Sequence, residues 1–401
     1  MVNASEALHI ILEHTQLLGT EKVPLLDALG RTLGQDVVAE EDIPPFDNSA
    51  MDGFAIVCSD TKDATKEHSA VLQVVGESSA GNAFNGAITF GQAVRVMTGG
   101  MIPKGADAVV PIEQATVLDE GRVEFTRPAM SGQHIRKRGE DIKNGDAALH
   151  SGQMLTPGSI GVLASLGYKR VRVYEKPRVN IVATGDELVD VEDMPGKGQI
   201  RNSSSYALAA QVTNAGGVPQ ILGIVPDKPK KLRKRIAEAL DVDVLLITGG
   251  VSVGKHDYVK NILADVGVDI KFWKVNIKPG MPLVFGTFKN TLVFGLPGNP
   301  VSTGVTFLQF VRPALLRMSG LNDVLPMKYS AVLDEDFTKN DSKRHFVRGI
   351  VQRCDGVLHV VTTGTQSSGA MSSLAKANCL IVIPEEVTSL KKGSSVEIEL
   401  L

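Results

Sequence analysis

Between residues 178 and 320 the chain alternates short apolar runs with amphipathic stretches of helical length, and this alternation restricts the fold more than any other feature. Residues 178–183, 220–225 and 243–248 read as strands, and 203–215, 230–240 and 256–266 as the helices that follow them. Parallel strands cannot be joined by a tight turn; each pair needs a crossover of a dozen or more residues, usually a helix. The order therefore predicts a mostly parallel sheet covered by helices. From Val244 to Ile247 there is no polar residue, as expected of a strand buried on both faces. Gly216-Gly217 closes the first helix and Asp227 is the candidate N-cap of the second. Two further strand-like runs, 272–277 and 292–296, precede a long apolar helix over 300–318 that stops at Gly320.

The flanking segments carry a different signal. Residues 3–17 have Leu8, Ile11 and Leu12 near helical spacing, and 156–166 form a second short helix begun by Pro157 and ended by Gly167. Residues 71–75, 93–97 and 108–112 are short strand-like runs broken by Gly, Asp and Pro, and Asp119-Glu120-Gly121 predicts a hairpin turn before 122–125. Beyond Pro326 only short strands remain, a separate small β domain. A chain of 401 residues exceeds what one hydrophobic core organises, so several domains are expected.

Composition excludes several function classes. The formal net charge of −3 provides no basic excess for nucleic acid or an anionic membrane. Cys58, Cys354 and Cys379 have neither metal-ligand nor redox spacing and read as free thiols of a reducing compartment. The apolar runs are too short to cross a bilayer, and the N-terminal stretch, interrupted by Glu6, His9, Glu13 and His14, reads as a soluble helix rather than a signal peptide. The expectation is a water-soluble cytoplasmic protein.

Chemistry concentrates where predicted strands end. Thr184-Gly185-Asp186-Glu187 follows the first strand, where ligands bind in open parallel sheets. Its adjacent carboxylates suit Mg²⁺, although loop acids also cap helices. Thr248-Gly249-Gly250-Val251-Ser252-Val253-Gly254 follows the third strand, and its glycines let backbone N–H groups approach an anion at a helix start. It matches neither the dinucleotide fingerprint nor the Walker loop. Asp257 stands just inside the next helix, placed for a metal or a ribose, or simply for the helix dipole. Pro297-Gly298-Asn299-Pro300-Val301-Ser302 is a third strand-to-helix loop on the same rim. Lys274 and Lys278 lie in a neighbouring segment as point charges for phosphate or another oxyanion, or as ordinary solvated lysines. The dense turn at 44–54, the charged loop at 136–141, and Arg348 with the Gly/Ser loop at 363–369 each admit an anion-binding reading beside a plain loop reading.

Together these segments resemble the molybdopterin molybdenumtransferase family, which includes the C-terminal domain of gephyrin. The resemblance is carried in order by PPFDNSAMDGF (44–54), RVMTGG (95–100), RKRGEDI (136–142), ATGDEL (183–188), GIVPDKP (223–229), ITGGVSVGKHDY (247–258), FWKVNIKPGMP (272–282), LPGNPVS (296–302) and GTQSSGAMSSLA (364–375). It implies a multidomain α/β plus β fold: a central doubly wound, mostly parallel α/β domain, a β-rich N-terminal half with a few helices, and a small C-terminal β-barrel-like domain. The domains it implies are 1–50 with 142–177 for linkage and dimerisation, an inserted β-rich domain over 51–141, the α/β molybdopterin- and nucleotide-binding domain over 178–326, and a β domain over 327–401.

The resemblance further implies a transferase that takes adenylylated molybdopterin and molybdate, inserts the metal, and releases AMP with the help of Mg²⁺, the final step of molybdenum cofactor biosynthesis. A homodimer with the site shared between subunits is implied, and an upstream adenylyltransferase as a further partner. By motif position Asp186, Glu187, Asp227 and Asp257 would hold Mg²⁺ and the nucleotide, and Gly250 and Ser252 would cradle phosphate. Lys274, Lys278, Ser302, Arg348 and Ser368 would form the anionic pocket, with Pro297 and Pro300 lining the substrate. Asp52, Thr98 and Asp141 would reach in from the partner subunit. Asp257, Asp227, Glu187, Lys274 and Lys278 would carry the chemistry. Two departures stand out: Lys228 beside Asp227, where relatives often have a second acid or amide, and Met101 after Thr98-Gly99-Gly100, where Gly-Ala-Pro is common. Competing readings are a molybdopterin adenylyltransferase-like enzyme, against which the large flanking segments speak, and a non-catalytic cofactor-binding scaffold.

Overall fold

The alternating segment folds as one sheet with strands β1 (Arg178–Thr184), β2 (Val218–Val225), β3 (Val244–Thr248), β4 (Asp269–Trp273), β5 (Val284–Phe288) and β6 (Thr291–Leu296). Their spatial order is β2-β1-β3-β6-β5-β4. The first four in that order pair in parallel, β5 runs antiparallel to β6, and β4 runs antiparallel to β5. Helices α1 (Ser203–Asn214), α2 (Pro229–Ala239), α3 (Val259–Asp265) and α4 (Pro300–Thr306) cover it. The computed structural model describes residues 1–119, 121–251 and 258–401.

The period of two along each strand sorts the apolar residues between two cores. Val244 and Leu246 face one core with Leu208 and Val212 of α1 and Val301 of α4. Leu245 and Ile247 face the other with Leu232 and Ile236 of α2 and Val259 and Ile262 of α3. The sheet is thus doubly wound, and β3 is buried at every residue. The N-terminal helix Ala4–Glu13 packs Ala4, Ala7 and Ile11 into the first core. Its start is fixed by a capping box between Asn3 and Glu6.

Three local outcomes differ from the sequence pattern. The expected strand over 272–277 ends early because Lys274 sits at φ +74, outside the extended region. Its far end, Ile277–Lys278, pairs instead with Arg344-His345 in another sheet. Strand β5 had no predicted counterpart; it pairs as a hairpin with β6 across Lys289, at φ +52, and Asn290. The helix from Pro300 to Met318 contains a π turn over Phe307–Val311 just before Pro313, a residue with no N–H for the ordinary ladder. Of the helix expected over 256–266, the described residues show Val259–Asp265, and residues 256 and 257 lie outside them.

The C-terminal segment is a closed β structure. Arg344–Cys354, Val357–Thr362, Lys328–Leu333, Ser395–Leu400 and Cys379–Ile383 pair in that order, and the last pairs back with the first. Leu333, Val360, Ile381 and Ile398 fill its interior.

The chain divides into two compact units, one of Met1–Gly34, Gly152–Thr156 and Arg170–Leu401, the other of Gln35–Ser151 and Pro157–Lys169. The second unit is built on a six-stranded sheet in the order Ala108–Pro111, Gly53–Ile56, Gln92–Val96, Ala70–Ser78, Arg122–Phe125, Ala115–Asp119. The last two strands form the predicted hairpin, with Glu120 outside the described residues. Helix Pro157–Ser165 belongs to this unit. Multidomain α/β plus β is therefore the architecture. Among the described residues no helix is long and apolar enough to cross a membrane.

Candidate active site

Strands β1, β3 and β6 run parallel as neighbours, so their carboxyl ends, Thr184, Thr248 and Leu296, share one edge of the sheet. The loops that leave them line a cavity of about 390 Å³ with Gly185, Glu187, Asp227, Gly249, Gly250, Pro297, Asn299 and Pro300. This is where the open-sheet rule puts a ligand. Gly249, at φ +96, would carry a Cβ 2.3 Å from the carbonyl oxygen of Thr184, and Gly250 follows at φ +63. Only glycine allows the strand to turn back so sharply against its neighbour. Thr248 and Thr303 both donate their hydroxyls to the carbonyl of Pro297, at 3.1 and 2.5 Å, locking the third loop to the second.

The acids on this rim are distinguishable. Thr184 Oγ1 donates to Asp227 Oδ1 at 2.7 Å, and the backbone N–H of Asp227 donates to Asp186 Oδ1 at 3.1 Å. Glu187 and Asp227 line the cavity, whereas Asp186 braces the Asp227 peptide. Carboxylates of Glu187 and Asp227 are oxygen donors of the kind a hard divalent cation takes, and such an ion commonly uses one or two carboxylates plus substrate phosphates and water. No group of three His, Cys, Asp or Glu side chains with metal-binding closeness occurs among the described residues. Ser252 and Asp257, both assigned roles from the sequence, lie outside the described residues.

A feature absent from the sequence reading completes the rim. Arg201, Asn202, Ser203 and Ser204 line the same cavity at the start of α1. Asn202 caps that helix, its side chain accepting the N–H of Ser205 at 3.2 Å. The available signal was the run Asn-Ser-Ser-Ser ahead of an apolar helix, a cap signature whose polar surplus exceeds what capping needs.

A second cavity of about 470 Å³ touches the first at Pro282, which lines both. Its walls include Lys278, Ser302, Lys343, His345, Arg348, Gln366 and Ser368. Arg348 is only 1% exposed, and burial presses its guanidinium below the usual arginine range. Its Nη2 donates to the carbonyls of Thr365 and Ser367 at 3.3 and 3.1 Å, and its Nε to Ser373 Oγ at 3.2 Å. Arg348 therefore holds the Gly/Ser loop in place as well as bringing charge to the wall. Ser302 is buried in α4, and the carbonyl of Ser368 accepts the N–H of Val301 at 3.1 Å, joining this loop to that helix. Among the described residues this wall offers cations and hydroxyls and no carboxylate, a recipe for a small oxyanion.

Lys274 is placed differently: its ammonium lies 4.1 Å from the ring centroid of Trp273, with Lys260 at 4.2 Å from the same ring. It lines neither of these cavities. In the second unit Asp52 and Thr98 come together, Asp52 Oδ1 accepting both the backbone N–H and the hydroxyl of Thr98 at 2.7 Å each. These bonds hold the exposed Asp52 carboxyl below the usual range. Asp141 is exposed, its N–H donating to the carbonyl of Ile43 at 3.1 Å.

Comparison with known proteins bears on the whole chain. Three family models match in succession: the MoeA N-terminal region (domain I and II) over residues 2–167, a probable molybdopterin binding domain over 180–317, and the MoeA C-terminal region (domain IV) over 330–401. The molybdopterin molybdenumtransferase of Haemophilus influenzae is 38% identical over 383 residues, 95% of this chain and 93% of its own. That of Bacillus subtilis is 38% identical over 395 residues, 97% of this chain and 91% of its own. The crystal structure of a molybdopterin biosynthesis moeA protein from Pyrococcus horikoshii OT3 is similar with a TM-score of 0.87 at 34% identity, covering 100% of both chains.

Proposed function

The chain belongs to the molybdopterin molybdenumtransferase family, enzymes of molybdenum cofactor biosynthesis, and from that membership we propose that it inserts molybdate into adenylylated molybdopterin with Mg²⁺-dependent release of AMP. The observation that carries this reading is the pair of cavities meeting at Pro282. One has switch-point glycines and carboxylates, the other cations and hydroxyls. An adenylylated, phosphate-bearing pterin spans the first, and the oxyanion enters through the second.

Roles follow from the chemistry of each wall. The turn at Gly249-Gly250 lets a phosphate come close to the backbone, and the start of α1 adds N–H groups, hydroxyls and the Arg201 guanidinium. Glu187 and Asp227, with Asp257 by its motif position, would hold Mg²⁺, and Asp186 keeps the Asp227 peptide in position. Bound there, the ion neutralises phosphate charge that the carboxylates would otherwise repel. Lys278, Arg348, Ser302 and Ser368 receive molybdate. Pro297 and Pro300 shape the passage between helix start and substrate. Asp52, Thr98 and Asp141 complete the site from the partner subunit of a homodimer, and Lys274 contributes long-range positive charge. The route to AMP needs no covalent enzyme intermediate; alignment and charge neutralisation supply the rate.

The test is turnover by the purified chain with adenylylated molybdopterin, Mg²⁺ and molybdate, following AMP and active cofactor together. The expected result is release of both, dependent on molybdate. Tight substrate binding with no AMP release would turn the reading toward a carrier.

A further inference from the structure

The short segment from Lys339 to His345 is held with unusual thoroughness beside the second cavity. Lys339 is 8% exposed, and its ammonium donates to the carbonyls of Lys343, Pro384 and Glu385 at 2.5, 2.6 and 3.2 Å. A buried ammonium with all three N–H groups engaged fixes the loop that crosses over it. Asp341 lies on that loop, and both of its oxygens are engaged. Oδ1 accepts His345 Nε2 at 2.7 Å and the N–H of Lys343 at 3.2 Å, while Oδ2 accepts Lys278 Nζ at 3.1 Å. Burial works against its charge, yet the bonds from His345 and Lys278 keep the carboxyl well below the ordinary range.

Lys278 and Asp341 are also joined through the backbone. The Ile277–Lys278 strand pairs in parallel with Arg344 and His345, Asn276 Nδ2 donates to the carbonyl of Ser342 at 2.9 Å, and the N–H of Arg344 donates to the carbonyl of Asn276 at 3.1 Å. A lysine stem is long and rotatable, and its side chain here is 54% exposed. Without a fixed partner it would sample many rotamers, few of them at the cavity wall. Asp341 does not line the cavity, whereas Lys278 does.

We propose that Asp341 is a positioning residue for Lys278: it takes one N–H of the ammonium, fixes its place at the cavity wall, and leaves the other donors for the oxyanion. The inference rests on reading this cavity as the molybdate pocket. A rival effect runs the other way, since a nearby carboxylate also opposes an incoming anion. Asp341 stands off the cavity lining with both oxygens engaged by Lys278, His345 and Lys343, which offsets its repulsion of an anion, whereas the fixed place of the ammonium depends on it, so positioning outweighs repulsion.

The experiment is calorimetric titration of the full chain with sodium molybdate. Asp341→Ala should weaken binding about tenfold, and Asp341→Asn, which keeps the shape of the side chain, should weaken it in the same direction. The double variant Asp341→Ala with Lys278→Ala should bind no worse than Lys278→Ala alone, since the two act as one unit. Affinity for adenylylated molybdopterin should stay within about twofold in Asp341→Ala and Asp341→Asn. Unchanged or tighter molybdate binding in the Asp341 variants would overturn the proposal, as would additive losses in the double variant. Absence of molybdate binding by the unaltered chain would instead remove the pocket reading on which the proposal stands.

Discussion

Residue by residue, backbone conformation and burial make the sharpest predictions. Gly249 combines a positive φ with a Cβ position 2.3 Å from a carbonyl oxygen. Gly249→Ala must therefore shift β1 or the turn, and it should cost about 2–4 kcal/mol of stability with loss of substrate binding, read by chemical denaturation and calorimetry. Glu399 is a second case. It is 5% exposed, accepts Gln309 Nε2 at 2.6 Å, and burial raises its carboxyl above the ordinary glutamate range. A carboxyl with a raised pKa in the folded chain stabilises the fold below its unfolded value, and that contribution is lost as pH rises through the folded value. At neutral pH its charge thus weighs against folding. Glu399→Gln should raise stability at about pH 7 by on the order of 1 kcal/mol and leave it nearly unchanged at about pH 4, as urea midpoints at the two values would reveal.

At the scale of elements, the start of α1 matters most. Asn202 is 4% exposed and supplies the cap that orders Ser203 and Ser204 at the first cavity. Asn202→Ala should lower stability by about 1 kcal/mol, the usual worth of a cap. It should also weaken binding of the adenylylated pterin while leaving molybdate binding intact, and calorimetry with each ligand separates the two effects. Much of the element layout was legible beforehand. The parallel strands, their helices and the Asp119–Arg122 hairpin follow from periodicities that local residues set. Strand β5 was not, because an apolar run interrupted by Gly286 and preceded by Pro282 has no clear period of its own. The broken strand at Lys274 was not legible either, since its left-handed φ is imposed by the hydrogen bonds of its surroundings, including Lys274 N–H to the Leu283 carbonyl at 2.9 Å.

For the whole molecule, the proposal that two subunits share each site makes a quantitative prediction. Asp52→Ala and Lys278→Ala would disable the two sides of such a site separately. Mixing the inactive variants under exchange conditions should restore about a quarter of wild-type turnover, because half of the dimers are mixed and each has one intact site. No recovery, with exchange verified by differently tagged chains, would place both residues in a site built from one chain.

The order and type of the main elements, the glycine and proline turns at the strand ends, and the family are all legible in the amino-acid sequence. Each is written in neighbouring residues: strand period, helix period and turn chemistry need no distant partner. Which of those residues act together emerges only when the chain is folded. The fold set Glu187 and Asp227 on a cavity and left Asp186 as a brace, turned Lys274 onto Trp273, and brought the start of α1 into the first cavity. It joined Asp341 to Lys278 across 63 positions of the chain. Pairings of that kind depend on how packed sheets and loops close on one another, and the free energy that selects them is spread over the cores of the fold, beyond the reach of any local pattern.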